Sequence, residues 1–481
     1  MLHLARGHGS VAGFVRGAAC GALLATVALG CSDRIAVLGP SALEQSADDG
    51  GSARDDAGPA RPPMMREDAG DPPPSQAGSG GRGGMTGSTT GGSISTGALD
   101  GGQPPAAPPC DLECGPNELC TYARCVPAQG VMSLSSWLGH SCAVEAGRLY
   151  CWGPNGSGQL GLGDRDNRNR RTRVGSDNDW LAVAVGEHFS CGIRAPGQLY
   201  CWGANNVGQL GVGDLVERMV PTAVPGAQRV VQIAAGGASA CARDEGDALW
   251  CWGDNLEGKP GQGDGYGSPD VVSPARVGSD RWKLVAVGQG HVCAVRADGR
   301  VLCWGRNSQL ELGLGSDEPG QTREPTETMI TGTYVSLSAS QHHSCGVRDD
   351  GTLWCWGGNE HSELAVPSAD LPRSGVPVQV GTESDWAEAS VGWFHSCARK
   401  QNGALFCWGR AIEGQLAQDR IDPNPMPVKV PAPVQWQRIS TGNFHSCGVD
   451  MQGALHCTGE NGNGQLGLGD LTRRHAFEAL P

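Results

Sequence analysis

The part of the chain from about Val131 to the end alternates short apolar segments with glycine-rich turns. Within residues 179–214, for example, the apolar segments LAVAVG, SCGI and QLYCWG are separated by polar and glycine residues. No stretch shows the 3.6-residue spacing of an amphipathic helix over ten or more residues. Short segments of small or β-branched residues between glycine turns are typical of β-strands. The pattern therefore predicts an all-β fold.

The same pattern recurs seven times. Each copy contains a first cysteine and, nine or ten residues later, a second cysteine that opens the motif CWG, which reads CTG in the last copy. The first cysteines are Cys142, Cys191, Cys241, Cys293, Cys345, Cys397 and Cys447. Successive steps are 49–52 residues long. Repeats of about fifty residues indicate a propeller, a solenoid or another array.

The cysteine spacing predicts a hairpin in each copy. If Cys191 lies opposite Cys201, the residues Ala195-Pro196-Gly197 are left as a three-residue loop, which favours glycine in last place. The first copy is one residue shorter, and its loop becomes Ala146-Gly147, so its cysteines stay opposed. In the third copy the glycine comes one place early, at Gly246.

Opposed residues of antiparallel strands lie within disulfide reach of each other. We therefore predict seven hairpin disulfides, and free buried thiols are the alternative. The predicted pairs are Cys142–Cys151, Cys191–Cys201, Cys241–Cys251, Cys293–Cys303, Cys345–Cys355, Cys397–Cys407 and Cys447–Cys457.

The repeat resembles that of the regulator of chromosome condensation family. The residues that carry the resemblance are Gly288, His291, Gly299, Trp304, Gly305 and Asn307 in one copy and Gly158-Gln159-Leu160-Gly161 in another. The resemblance covers about 350 residues and implies a seven-bladed β-propeller with four strands per blade. Because the region starts and stops in the middle of a repeat, we expect the C-terminal strand to complete the blade that the N-terminal strands begin.

The first 30 residues are predicted to be a signal peptide of the lipoprotein type. Arg6 and Arg16 precede an apolar run from Gly17 to Gly30, which is too short to span a bilayer as a permanent helix. The run ends in ALGC, so Cys31 stands where a bacterial lipoprotein carries its lipid. Ala28 departs from the usual bulky residue, which leaves secretion with cleavage nearby as the alternative. Either way we expect the protein in the cell envelope or outside the cell, touching the membrane only through an N-terminal lipid.

Two further segments precede the repeats. Residues 31–109 are rich in Gly, Ser, Pro, Ala and Asp and show no strand or helix period, which predicts a disordered tether. Residues 110–127 contain four cysteines, Cys110, Cys114, Cys120 and Cys125. They indicate a small module with two disulfides, whose pairing the spacing leaves open. A four-cysteine zinc site is the alternative, although zinc ligands usually come as C-x-x-C pairs. The propeller would occupy residues 131–481.

The charge balance argues against nucleic acid as a partner. The chain has 36 Lys and Arg against 50 Asp and Glu, a formal net charge of −14. Phosphate backbones are bound by dense Lys and Arg, which this composition lacks. We expect a monomer that binds a protein or a glycan on one propeller face and uses no cofactor.

A histidine two residues before the first cysteine is the most conspicuous candidate for chemistry. It occurs in five copies, and the remaining two have Phe189 and Ser239 there. Catalysis needs a general base once, not five times, and ligands on different blades would lie too far apart for one metal ion. We therefore predict packing and hydrogen bonding as the role of His140, His291, His343, His395 and His445.

The tryptophans fall into two repeated sets and one exception. Trp152, Trp202 and Trp304 belong to the CWG motif and are predicted to form the core between blades. A second set precedes a predicted inner strand and comprises Trp180, Trp282, Trp386 and Trp436. Trp393 belongs to neither set, which makes it a candidate for binding, with core burial as the alternative.

These observations favour a binding module over an enzyme. A hydrolase or lyase acting on envelope polymers is the alternative, and its unshared candidate residues are His188, Asp264, Glu311, His361 and Glu363. The family resemblance also implies guanine-nucleotide exchange, which we discount because an exported chain would not meet a cytoplasmic GTPase. An enzyme-inhibitor role, as in a secreted bacterial relative of this fold, is a further case that no residue selects.

Overall fold

A computed structural model describes residues 118–121, 124–127, 131–418 and 422–481. Every regular element in these ranges is a β-strand, which confirms the all-β prediction. Twenty-eight strands form seven four-stranded antiparallel sheets, and these are the blades of a propeller. The predicted seven-bladed fold is therefore confirmed.

Each blade consists of four consecutive strands, ordered from the propeller axis outward. Blade 1 contains β3 Val131–Ser136, β4 Ser141–Glu145, β5 Arg148–Gly153 and β6 Arg168–Arg173. Blade 2 contains β7 Trp180–Val185, β8 Phe189–Arg194, β9 Gln198–Gly203 and β10 Arg218–Ala223. Blade 3 contains β11 Val230–Gly236, β12 Ser239–Asp244, β13 Leu249–Gly253 and β14 Val271–Arg276. Blade 4 contains β15 Trp282–Val287, β16 His291–Arg296, β17 Val301–Arg306 and β18 Gln321–Glu327.

The remaining blades follow the same plan. Blade 5 contains β19 Tyr334–Ala339, β20 His343–Arg348, β21 Leu353–Gly358 and β22 Arg373–Gln379. Blade 6 contains β23 Trp386–Val391, β24 His395–Lys400, β25 Leu405–Gly409 and β26 Asn424–Lys429. Blade 7 contains β27 Trp436–Thr441, β28 His445–Asp450, β29 Leu455–Gly459 and β30 Arg474–Ala479.

A two-stranded ribbon precedes the propeller in the chain. It consists of β1 Glu118–Thr121 and β2 Arg124–Pro127, and its register places Cys120 opposite Cys125. The predicted signal peptide, the lipid-bearing Cys31, the tether, Cys110 and Cys114 lie outside the described residues.

The hairpins carry the seven disulfides in the predicted pairs. The two Cα atoms of each pair lie 4.1–4.2 Å apart, and all fourteen cysteines are buried. Arg194 lies opposite Gln198, which leaves the expected three-residue loop. The third hairpin differs from expectation, because Asp247 and not Gly246 adopts the left-handed conformation, with φ 65°.

The ring does not close through a shared blade, so that expectation is wrong. The last strand, β30, pairs with β29 of blade 7, and β3 pairs with β4 of blade 1. Each blade begins at its innermost strand, so the repeat region holds seven complete blades. The junction is closed instead by the interblade bonds found around the ring, here Trp152 Nε1 to the Gln465 carbonyl at 2.9 Å and His445 Nε2 to Ser141 Oγ at 3.0 Å.

The repeated histidines are buried and hydrogen-bonded, as the sequence predicts, and each of these bonds joins neighbouring blades. The imidazole Nε2 lies 2.7–3.0 Å from the hydroxyl of the serine before the first cysteine of the next blade. The pairs are His140–Ser190, His291–Ser344, His343–Ser396, His395–Ser446 and His445–Ser141. At the two junctions without histidine the serine is also missing. Blade 2 has Phe189 in place of the histidine, and the next blade has Ala240 in place of the serine. Blade 3 has Ser239 in place of the histidine, and blade 4 has Val292 in place of the serine.

The hydrogen-bond geometry indicates which ring nitrogen of these imidazoles carries the proton. Ser446 Oγ donates to the Gln415 carbonyl at 2.8 Å, so the same oxygen accepts from His395 Nε2. His395 Nδ1 is buried and has no partner among the described residues. Burial lowers the pKa of His140, His343 and His395 to about 3 and that of His445 to about 4, so these imidazoles are neutral.

The tryptophans of the CWG motif form the core between blades, again as predicted. Each indole Nε1 donates to a backbone carbonyl of the preceding blade, as from Trp202 to Gln159 at 2.9 Å and from Trp408 to Glu363 at 2.7 Å. In the last copy Thr458 replaces the indole and donates to the Gly414 carbonyl at 2.9 Å.

Candidate binding face

The strand order separates two faces of the propeller. Strands alternate in direction, so the loops after the first and third strands of every blade emerge at one end, which we call the loop face. The turns between the second and third strands and the linkers between blades emerge at the other end, the hairpin face. Loops carried by a rigid scaffold are where propellers and similar folds place their binding residues.

The inner strands enclose an axial cavity of about 250 Å³. Its wall contains small and aliphatic residues together with serine and threonine, and within the described part of the chain no acidic, basic or histidine residue lines it. The hydroxyls join neighbouring inner strands, since Ser135 Oγ accepts from Val185 N and Ser338 Oγ from Val391 N, both at 3.1 Å. The described residues that line this cavity therefore include no acid–base pair.

The loop face carries a cluster of three aromatic residues, Trp393, Phe394 and Phe444, which we call the aromatic patch. The Trp393 ring lies 5.9 Å from each phenylalanine ring, and the two phenylalanine rings lie 6.1 Å apart. All three side chains are half-buried. The Trp393 indole nitrogen is itself buried and without a hydrogen-bond partner in the described ranges.

Two polar side chains border the aromatic patch. The Arg410 guanidinium lies 5.8 Å from the Phe394 ring centre and 5.5 Å from that of Phe444, and it pairs with Glu413 at 2.6 Å. Hydrogen bonding to Glu413 raises the pKa of Arg410. His361 packs edge-on against Phe394 at 4.8 Å, and burial lowers its pKa. The guanidinium over two ring faces is a cation–π arrangement.

The patch comes from positions at which the seven copies differ. Trp393 and Phe394 lie in the loop just before His395, where blade 3 has Gly237 and Ala238. The sequence singled out Trp393, which is half-buried on this face and not part of the core. Phe394, Phe444 and Arg410 were missed, although an alignment of the copies shows phenylalanine at the 394 position only in blades 6 and 7 and arginine at the 410 position only in blades 4 and 6.

A second group of polar residues lies on the loop face in blades 3 and 4, around a cavity of about 310 Å³. The buried Lys259 ammonium donates to the Gln289 carbonyl at 2.8 Å and pairs with Asp254 at 3.0 Å. Arg306 Nε donates to Glu311 Oε1 at 2.9 Å. Burial raises the pKa of Glu311, and Arg306 counteracts that shift. Most charges of this group are thus paired with one another, and Arg306 also lies 3.7 Å from Glu257.

The structure does not bring the five enzyme candidates together. His188 belongs to a loop of blade 2, Asp264 accepts from Asn255 at 2.8 Å in blade 3, and Glu311 pairs with Arg306 in blade 4. Only His361 and Glu363 are neighbours, because His361 N donates to Glu363 Oε2 at 2.8 Å.

Glu363 has a structural role in its loop. Burial raises its pKa to about 8. It stands where other copies have a glutamine, and the Gln159 amide oxygen accepts the corresponding backbone bond from Ser157 at 2.8 Å. Within the described ranges no group of three or more His, Cys, Asp or Glu could hold a metal ion, and no helix is long and apolar enough to cross a bilayer.

Comparison with family models finds one repeat type along the propeller. The model described as the regulator of chromosome condensation (RCC1) repeat matches residues 146–193, 196–243, 298–347, 350–399 and 402–449. A second model with the same description matches residues 180–209, 230–259, 282–309, 334–363, 387–415 and 436–465.

Curated relatives match part of the propeller. The mouse secretion-regulating guanine nucleotide exchange factor is 32% identical over 171 residues, which cover 33% of this chain and 36% of the mouse protein. The Arabidopsis thaliana ultraviolet-B receptor UVR8 is 29% identical over 144 residues, which cover 30% of this chain and 32% of that receptor. The chain thus spans about a third of the length of these relatives.

Solved structures share the fold. Yeast RCC1 (Prp20), solved in complex with Kap60, superposes with a TM-score of 0.62 at 21% identity over 72% of this chain and 85% of that chain. Human WBSCR16 superposes with the same TM-score at 22% identity over 69% of this chain and 94% of its own.

Proposed function

Because the chain belongs to the regulator of chromosome condensation (RCC1) repeat family, we propose that its propeller binds a protein partner through the aromatic patch on the loop face. The observation that carries the proposal is the cluster of Trp393, Phe394 and Phe444 with Arg410 across two of the rings. Trp and Arg are enriched among residues that dominate binding energy at protein interfaces. A protein-interaction role is also what the yeast structures suggest, since their subjects are complexes with Kap60 and binding to Gsp1p and histones.

The contacts that repeat around the ring do not include the aromatic patch. The shared histidines, disulfides and CWG tryptophans hold the blades together at every junction that has them, whereas the patch occurs at one junction. In blade 3 the corresponding loop residues are Gly237 and Ala238, and the blade forms as well without aromatic rings there. A partly exposed aromatic cluster that occurs at one junction is best accounted for by a partner.

Site-specific photocrosslinking tests this proposal. A photoreactive phenylalanine at position 394 of the full-length protein in its native envelope should capture a discrete protein. The same residue at position 238, which occupies the equivalent loop position of blade 3, should capture none. A glycan adduct at position 394 would replace the protein partner with a carbohydrate. No adduct, or equal adducts at both positions, would reject the patch as the site.

A matched pair of substitutions gives the energetic test. Phe444→Ala should lower the yield captured from position 394 by about tenfold or more, because a hot-spot residue is worth about 2 kcal/mol or more. Tyr266→Ala removes another exposed aromatic residue of the loop face, outside the aromatic patch, and should leave the yield unchanged. Equal effects of the two substitutions would contradict the proposal.

The proposal includes export and lipid anchoring of a bacterial envelope protein. Seven disulfides support an oxidising compartment, since cytosolic thiols are kept reduced. The apolar run that ends at Cys31 supports a lipid anchor. Labelled palmitate should therefore be incorporated into the wild type and not into Cys31→Ser. Incorporation into both proteins would refute Cys31 as the anchor.

Neither exchange activity nor hydrolysis belongs to the proposal. Guanine nucleotide exchange is named for the mouse relative, and an exported chain would have no access to a cytoplasmic GTPase. A hydrolase or lyase would need converging acid–base groups. Of the five candidates, the described residues place only His361 and Glu363 side by side, and the buried Glu363 serves its own loop.

A further inference from the structure

The first residue of the inner strand is a buried aromatic residue in five of the seven blades. These residues are Trp180, Trp282, Tyr334, Trp386 and Trp436. Each ring packs against an aromatic or imidazole ring of its own third strand, as Trp180 does against Tyr200 at 5.7 Å and Trp386 against Phe406 at 5.4 Å. In blade 2 the Trp180 ring also belongs to one core cluster with residues of blade 1, so it fills the space between the two blades.

Blade 3 has a valine at this position, with an unchanged backbone. Val230 lies opposite Asp244 and is followed by an irregularity in register, as Trp180 lies opposite Arg194. Val230 N donates to the Gly197 carbonyl at 2.9 Å, which matches the bond from Trp180 N to Gly147 at 3.0 Å. The linkers 174–180 and 224–230 have the same length. The aromatic ring is therefore missing without a compensating shift of the chain.

A cavity of about 290 Å³ lies between blade 3 and the linker that enters it from blade 2. Its inner walls are Val230, Ala242, Trp250 and Trp252, and its rim includes Gln228 and Asp244. We call it the indole pocket. Trp250 and Trp252 occupy the positions of Tyr200 and Trp202, the two rings that enclose Trp180 in blade 2. The volume is close to the lower end of the range for small-molecule sites.

The charge at the rim is opposite to that in blades 2, 4, 5 and 6, and it is shared with blades 1 and 7, where Glu145 and Asp450 take this position. In blades 2, 5 and 6 the residue opposite the aromatic ring is a cation, and Arg194 and Lys400 lie 5.6 Å and 5.0 Å from the rings of Trp180 and Trp386. Blade 3 has Asp244 there, and its Oδ2 accepts from Trp250 Nε1 at 3.0 Å. Asp244 is the only charged residue among the described residues that line the pocket.

The neighbouring arginines do not neutralise this carboxylate. Arg229 pairs with Glu245, and Arg243 pairs with Asp247 at 2.7 Å. A positively charged group that enters the pocket would meet the Asp244 carboxylate, which attracts cations, beside the two indoles of the wall. A negatively charged group would be repelled by the same carboxylate.

We propose that the indole pocket binds an indole ring that carries a positively charged amine, as in tryptamine or in an amino-terminal tryptophan residue. The ring takes the place that the chain's own tryptophan fills in blades 2, 4, 6 and 7. The amine faces Asp244. The site lies on the hairpin face and between blades, apart from the aromatic patch, and does not depend on the function proposed for that patch.

Titration of the full-length protein with tryptamine, followed by ligand-observed NMR and calorimetry, tests this proposal. Indole-3-acetate is the matched control, because it has the same ring and the opposite charge. Tryptamine should bind saturably and at least tenfold more tightly than indole-3-acetate. The peptide Trp-Ala-Ala-amide is the third probe. Tighter binding of the peptide would assign the pocket to the end of a protein chain, and tighter binding of tryptamine would assign it to a small molecule.

Two substitutions locate the binding. Val230→Trp fills the pocket as four other blades do and should abolish tryptamine binding without lowering the melting temperature. Its indole fits beside Ala242, because Trp282 and Trp386 face Ala294 and Ala398 at that position. Asp244→Asn should bring tryptamine and indole-3-acetate to equal affinity. The proposal is overturned if tryptamine does not bind the wild type, if Val230→Trp binds it equally well, or if the wild type does not distinguish the two charges.

Discussion

Replacing His395 with phenylalanine should make the propeller more resistant to acid. The imidazole is buried, donates from Nε2 to Ser446 and has an unpartnered Nδ1. Its pKa is lowered to about 3 by burial and by His445, with Glu413 acting in the opposite direction. Phenylalanine should fit at position 395, because blade 2 has Phe189 at the equivalent position. In both blades the ring lies against a glycine three residues earlier, Gly186 in blade 2 and Gly392 in blade 6.

The sign and the size of the effect follow from proton linkage. In the unfolded chain the His395 pKa returns to its ordinary value of 6.5, so below that pH the unfolded state binds a proton that the native state does not. The stability that neutral His395 contributes is complete above pH 6.5 and is lost as the pH falls towards 3. Between these two pKa values, each unit of falling pH lowers the free energy of unfolding by about 1.4 kcal/mol, and the loss from pH 7.5 to 4.5 comes to about 2.7 kcal/mol. His395→Phe removes this loss.

Guanidinium unfolding at pH 7.5 and 4.5, with the disulfides intact and followed by tryptophan fluorescence, measures the difference. At pH 7.5 the variant should lie within about 1 kcal/mol of the wild type, since one hydrogen bond is lost and apolar surface is gained. Leu405→Ala is the control, and it should lower stability by about 2–5 kcal/mol equally at both pH values. Equal pH dependence in His395→Phe and the wild type would show that the buried imidazole does not resist protonation.

Three further predictions concern the same framework. Trp202→Ala should lower the free energy of unfolding by about 3–5 kcal/mol in urea titrations, because it leaves a cavity between blades, and a loss below about 1 kcal/mol would contradict its place in the core. Joint replacement of Cys293 and Cys303 by serine should cost about 2–3 kcal/mol by calorimetry, because the loop is short, and a loss of the whole fold would contradict this. Glu363→Gln should be as stable as the wild type at pH 5 and more stable at pH 9, by up to about 4 kcal/mol. The reason is that burial raises the Glu363 pKa to about 8, so that ionisation of Glu363 at pH 9 destabilises the native state. Equal chemical-denaturation curves of the two proteins at pH 9 would contradict this prediction.

Most of the fold could be predicted from the spacing of residues within one repeat. A hairpin whose cysteines are nine or ten residues apart has one register that keeps them opposed, so the loop at 195–197 and all seven disulfide pairs could be predicted. Repetition also predicted packing and hydrogen bonding as the role of His140 and its four counterparts, because catalysis needs a general base only once, and the structure adds that each bond reaches the next blade. The error concerned the ring closure. Hairpin spacing shows which strands are neighbours, but it does not show which strand begins a blade.

The sequence identified only some of the residues in the candidate sites. Trp393 was noticeable as an unshared residue, but Phe444 and Arg410 come from positions 51 and 17 residues further along the chain. They join Trp393 and Phe394 because blades 6 and 7 are neighbours in the ring. In blade 3 the sequence shows a valine where five other copies have an aromatic residue. Only the tertiary structure shows that the linker 224–230 does not fill the space of the missing ring, so that the indole pocket stays open.

The sequence by itself therefore determined the number of blades, the hairpin register and the disulfide pairs, because antiparallel pairing over ten residues depends on local geometry alone. The tertiary structure decided how the ring closes and which side chains from different blades meet. It also decided whether the space left by a missing ring is filled. These outcomes depend on the packing of one blade against the next, across about fifty residues of chain, and the sequence pattern within a single repeat does not record that packing.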